Sequence, residues 1–258
     1  MEEIIDLKNK PLVEAIFELR WQMPENSTGV FVDPHYKLLV GRLFDRVRGD
    51  YPHHEPLPSA TMPDEFVAYI VQHRFRKAKD CWPLIQIGPG VITLNDTAGY
   101  QWPDFKDRIN RLLEAIFGIV PDLEAVFKPN RLLLRYIDAV ELPSEGGNVF
   151  DFLREKLKTT IHIDDRLFKD TGVQSEPLLF DVRVSFLTSK PTGIAHLRFA
   201  RGEKSGKDAL IWETQVESSG TDLPTSKEAI ELWSIDARAL THDWFFKMIE
   251  GDLRKRFE

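Results

Sequence analysis

Residues 11–21 read PLVEAIFELRW, and the alternation in this stretch decides the fold. Val13, Ala15, Phe17, Leu19 and Trp21 fall on one side, while Glu14, Ile16, Glu18 and Arg20 fall on the other. Side chains of an extended chain point to opposite faces in turn, so this period of two predicts a half-buried β-strand. A strand with one apolar face needs partners and a covering layer, which directs attention to the segments that follow.

Working outward, HYKLLVGRLFDRVRGDY at 35–51 places Leu38, Leu39, Leu43, Phe44 and Val47 at helical spacing, with a Gly beyond the last apolar position as a stop. YPHHEPLPSATMP at 51–63 holds four prolines in thirteen residues and is expected to be a surface connection without regular structure. FVAYIVQHRF (66–75), WPLIQIG (82–88) and VITLND (91–96) read as strands, the last two meeting at the Gly-Pro-Gly turn of 88–90. WPDFKDRINRLLEAIFGIV then gathers Phe105, Ile109, Leu112, Leu113, Ile116 and Phe117 on one helical face, with Pro in its first turn.

The second half repeats this order. NRLLLRYIDAVELP (130–143) reads as a strand and FDFLREKLKTTI (150–161) as a short helix, while the stretch from Asn148 to Gln174 is partly loop. LLFDVRVSFL, GIAHLRFARG and ALIWETQVES read as three strands, and 227–257 closes the chain as one long helix or two abutting ones. Two tandem units are therefore expected, 1–128 and 129–258, with a boundary near Phe127 to Asn130. Each is an antiparallel sheet covered by helices, packed as one α+β body with a helix-grip-like arrangement in which a curved sheet and a long helix enclose a cavity.

Composition bounds the function. At 258 residues with a formal net charge of −7, the overall field repels nucleic acid. No apolar run reaches the roughly 20 residues of a membrane helix, and the opening MEEIIDLKNK is acidic rather than a signal sequence, so a cytoplasmic location with no membrane association is expected. A single cysteine, Cys81, excludes an intramolecular disulfide and a cysteine-based zinc cluster.

Chemistry-bearing residues are few. His53 and His54 are adjacent on an extended segment and point apart, so no metal site is expected, and no cofactor motif is present. GEKSGKD at 202–208 has three residues between its glycines where a phosphate loop needs four, and Asp208 stands where that motif needs Ser or Thr. The six tryptophans read as core. HRFRKAK at 73–79 and HLRFAR at 196–201 set cations beside rings, and Arg74 and Arg76 are the residues a nucleic-acid contact would use. Edge-strand charge explains them equally well, and nucleic acid is an unfavoured partner.

The central Arg135-Tyr136-Ile137-Asp138 is more telling. With Tyr136 and Asp138 facing inward, Asp138 requires a partner, and Arg20, Arg183 or Arg198 on neighbouring strands is placed to supply it as an architectural pair. His242, on the closing helix beside Trp244 and Phe245, reads as a core or capping histidine before it reads as a base, because no nucleophile accompanies it. Asp138, Arg198 and His242 are together the candidate ligand-binding residues, and no catalytic residue is assigned.

Three segments, PLVEAIFELRW at 11–21, LLLRYIDAVELP at 132–143 and ALTHDWFFKMI at 239–249, resemble a family of uncharacterised bacterial proteins of similar length with a sporadic species distribution. The resemblance implies a stand-alone bacterial protein and, from the patchy distribution, carriage on mobile or defence-type loci; it supplies no site residues. The function expected from all of this is non-catalytic binding or interaction, with an unknown protein or a second copy as partner. The alternative is a small-molecule or enzymatic pocket between sheet and helix.

Overall fold

The computed structural model describes residues 7–97, 99–119, 127–143 and 148–258; the acidic opening at 1–6 lies outside them. In chain order the elements are β1 (Leu12–Trp21), α1 (Tyr36–Val47), β2 (His53–Pro56), β3 (His73–Arg76), β4 (Leu84–Gly88), β5 (Val91–Asp96) and α2 (Trp102–Gly118), followed by β6 (Pro129–Glu141), α3 (Val149–Lys156), β7 (Asp181–Ser189), β8 (Thr192–Lys204), β9 (Lys207–Ser219), α4 (Lys227–Met248) and α5 (Asp252–Phe257).

The nine strands among the described residues join one antiparallel sheet in the order β2-β3-β4-β5-β1-β6-β9-β8-β7. This corrects the expectation of two tandem sheets. β1 and β6, the first strands of the two halves, pair with each other, Phe17 opposite Leu134 and Ala15 opposite Tyr136, so that each satisfies the other's backbone edge. The order on either side of that seam is the same, a hairpin stack running outward from β5 on one flank and from β9 on the other.

The prolines of 51–63 do not prevent pairing. His53–Pro56 forms the outermost strand on one flank, because Pro is tolerated at an edge where no ladder donor is needed, and Pro58–Thr61 makes a 3-10 turn. Only the last three residues of FVAYIVQHRF, 73–75, are strand, in β3, which runs on to Arg76.

One face of the sheet carries the helices. Fully buried Phe17, Leu19, Ile92, Leu94, Leu132 and Leu134 meet Leu43 of α1, Phe105, Ile109 and Leu113 of α2, and Ile230 and Ala237 of α4. A second cluster, around Trp212, Phe199, Val149, Leu153, Ile249 and Leu253, seats α3 and α5 on the β6, β8 and β9 strands. The opposite face is polar. Arg131 bridges Glu18 and Glu217, Arg135 meets Glu213, and Arg198 joins Glu213 and Asp181. Glu213 is buried and the other groups are partly exposed; partly exposed pairs contribute little each, about 0–1 kcal/mol, and these mainly keep an uncovered sheet face wettable.

Candidate functional site

The sheet's covered face is apolar along β6 until Tyr136 and Asp138. Both point under the helices, two residues apart and therefore about 7 Å along the strand. Room for the Tyr136 ring comes from its cross-strand neighbour, the fully buried Ala15. Above them runs α4, capped by Ser226, whose hydroxyl accepts from the Ala229 amide at 3.2 Å. Ile235, Arg238, Ala239, His242, Phe245 and Phe246 recur at spacings of three and four, so one stripe of α4 faces the sheet. The third wall is the start of α2, where Tyr100, Gln101, Trp102 and Pro103 approach with no side-chain cap on the helix.

These elements enclose a cavity of about 230 Å³. That exceeds the roughly 150 Å³ that suffices for a benzene-sized guest. Leu7, Pro11 and Leu12 complete an apolar wall, and Lys10 joins it with its amino group donating to the Tyr100 carbonyl at 2.9 Å.

Polar groups converge on the inner end. The hydroxyls of Tyr100 and Tyr136 lie 2.8 Å apart. Arg238 hydrogen-bonds Tyr100 and places its guanidinium 5.6 Å from the Tyr136 ring and 5.7 Å from that of Trp102. Arg238 can only donate, and two hydroxyls sharing one bond have a proton to spare, so one phenolic proton remains to be given to a third group. Burial raises both phenols above their ordinary value and keeps them neutral donors.

Asp138 is 2% exposed, and its Oδ2 has no hydrogen-bond partner among the described residues. Burial pushes its carboxyl up to about 7, with Lys204 and Arg238 opposing the rise. Thr214 Oγ1 and Arg238 Nε, which line the same cavity, also lack partners, as does Trp212 Nε1 on the strand position facing Asp138. Buried polar atoms are normally paired, so the three unpartnered ones that line this cavity, a carboxyl oxygen and two donors, are groups a bound molecule would satisfy.

Of the residues singled out from sequence, Asp138 and His242 both line the cavity, and the His242 ring lies 4.6 Å from that of Phe246. Arg198 does not. It pairs with Glu213, opposite Ile137, and so sits on the other face of the sheet, as does Arg183 beside it. Arg20 bonds Glu18 at 2.7 Å on that same polar face. The architectural pair expected for Asp138 is therefore not formed by any of the three. Arg74 donates to Gln86 at 2.8 Å, and Arg76, 6% exposed, donates to Glu55 and to the Cys81 carbonyl.

Sequence reasoning did not bring Tyr100, Thr214, Trp212 or Arg238 together with Asp138. Tyr100 precedes a helix with no periodic signal, and the others look like ordinary strand or helix residues until the register is known. A hydroxyl beside a histidine does exist, Ser185 Oγ to His196 Nδ1 at 2.8 Å, but on the exposed sheet face, with Glu217 3.9 Å from the ring and engaged by Arg131. Among the described residues no group of His, Cys, Asp and Glu could hold a metal ion, and no helix is long and apolar enough to cross a membrane. No protein-family model matches the chain, and no curated protein matches it significantly.

Proposed function

We propose that the protein binds a small organic molecule in the cavity between β6 and α4. The observation that carries this is the Asp138 carboxyl, buried with Oδ2 unpartnered among the described residues, on a cavity also lined by the likewise unpartnered Thr214 hydroxyl. Leaving a polar group in that state costs about 1–3 kcal/mol, and a bound guest recovers it. An apolar wall with a few convergent polar groups is the usual form of a small-molecule site.

A protein-interaction role has one feature in its favour, the free edge of β7, where Phe186 is 47% and Leu187 92% exposed. An edge strand of nine residues bearing exposed apolar side chains is a template for pairing with another chain. The resemblance of three segments to a sporadically distributed bacterial family supports an accessory role at a mobile or defence-type locus for either activity. The exposed, unpaired Cys81 agrees with a reducing, cytoplasmic setting.

The discriminating experiment is native mass spectrometry of protein purified from a bacterial host, compared with the denatured chain. A mass increment lost on denaturation and absent from Asp138→Asn supports the cavity. A stoichiometric protein partner with no small-molecule increment, retained by Asp138→Asn, replaces it with the interaction role.

A further inference from the structure

The cavity pairs two kinds of group that are useful together for moving a proton. At one point stands a buried carboxyl with a free oxygen, Asp138 Oδ2. About one strand repeat away stand donors with no further acceptor among the described residues: a phenolic proton of the Tyr100–Tyr136 pair and the Nε of Arg238. The start of α2, with no side-chain cap, adds the positive end of a helix dipole at the same wall. A base at one site and oriented donors at another is the arrangement that removes a proton from carbon next to a carbonyl.

We propose that the cavity catalyses proton transfer at the carbon α to a carbonyl, Asp138 acting as the base and the Tyr100–Tyr136–Arg238 group receiving the charge that develops on oxygen. The inference rests on the cavity being a ligand site and adds a substrate class, small ketones or enones with an apolar ring body. In the step, the Asp138 carboxylate takes a Cα proton. The C–H pair becomes a C=C bond, and the carbonyl π pair moves to oxygen as an enolate held by the phenol and guanidinium. Once the Asp138 carboxyl has traded its proton with solvent, return to the same carbon gives exchange; with a β,γ-unsaturated ketone, return to the γ carbon gives isomerisation to the conjugated enone. No oxidant, reductant or leaving group is involved.

The surroundings suit the role. Asp138 is faced by Tyr136 on its own strand, Lys204 from β8, Arg238 and His242 from α4, and Tyr100 and Lys10 from the opposite wall. With burial dominant, the carboxyl titrates at about 7, the range in which a base is both available and strong enough. The bicyclic ketone 2-tetralone is of a size the cavity of about 230 Å³ can take and has acidic α-protons.

The test is proton NMR of 2-tetralone in D2O with the purified protein, following loss of the α-proton signals, with saturation transfer from protein to ligand measured on the same sample. The expected result is saturation transfer, exchange faster than in buffer, a rate that rises with pH through about 7, and a loss of about 100-fold or more in Asp138→Asn. Tyr136→Phe is expected to slow exchange while retaining transfer, and Leu187→Ser, on the exposed β7 edge, to change neither. Saturation transfer without exchange above buffer, or exchange unaltered in Asp138→Asn, overturns the proton-transfer inference and leaves the binding site standing. Absence of transfer, with native mass spectrometry showing no bound molecule, removes both.

Discussion

Asp138 and Trp212 face each other across the β6–β9 pairing on the helix-covered side of the sheet, and among the described residues neither the carboxyl Oδ2 nor the indole Nε1 has a partner. One is an acceptor and the other a donor, yet they are not joined. The unpartnered carboxyl has consequences that can be measured.

The first concerns pH. Asp138 ionises near the ordinary 3.8 when unfolded and at about 7 in the fold, so between those values the native state holds a proton that the unfolded chain has lost. Stability from this group therefore falls as pH rises across that window, by about 4 kcal/mol in total. Asp138→Asn removes the dependence. Thermal unfolding should show the variant gaining on the wild type between pH 5 and pH 8; a constant gap between the two would contradict the raised value.

Thr214→Val removes a buried hydroxyl that has no partner while conserving shape. Denaturant unfolding of the ligand-free protein should show a gain of about 1 kcal/mol. The same variant should lose retained small molecule, which separates a binding group from a structural one.

Gly88 closes β4 against the segment preceding β3, and a Cβ there would overlap the Ile70 carbonyl and the Val71 backbone. Backbone cannot swing aside as a side chain can. Gly88→Ala should cost about 3 kcal/mol or more, read from the chemical denaturation midpoint.

Arg76 is nearly buried, bonds Glu55 at 3.0 Å and stacks at 5.6 Å on Trp82. Arg76→Glu sets two carboxylates together there and should destabilise by about 3–5 kcal/mol. Arg74→Glu, which loses a bond to Gln86, should cost far less. Heparin retention of the wild type at low salt that disappears in Arg74→Glu would establish a phosphate contact; equal elution of the two removes it.

Much of the fold was legible because its signals are local. The alternation of Val13 to Trp21 gives β1, and the apolar stripe from Phe105 to Phe117 gives α2. The single sheet was not, since the pairing of Ala15 with Tyr136 joins residues far apart in sequence and periodicity says nothing of which edges meet. Asp138 and His242 stood out as polar residues on apolar faces. Arg198 was misplaced for a simple reason: the face a strand residue occupies relative to another strand depends on register, and a shift of one residue reverses it. Register likewise puts Thr214 beside Tyr136 and Trp212 beside Asp138, and no property of those residues taken singly announces it.

The β1–β6 seam has a further meaning for the cavity. Tyr100 and Trp102 come from the chain before the seam, and Asp138, Thr214 and Arg238 from the chain after it. A guest held among them ties the halves together, so its binding energy is also cohesion between them, growing with the logarithm of its concentration. Occupancy then sets how long the molecule survives heat and proteases in the cell, and each half produced alone would have only one side of a grip.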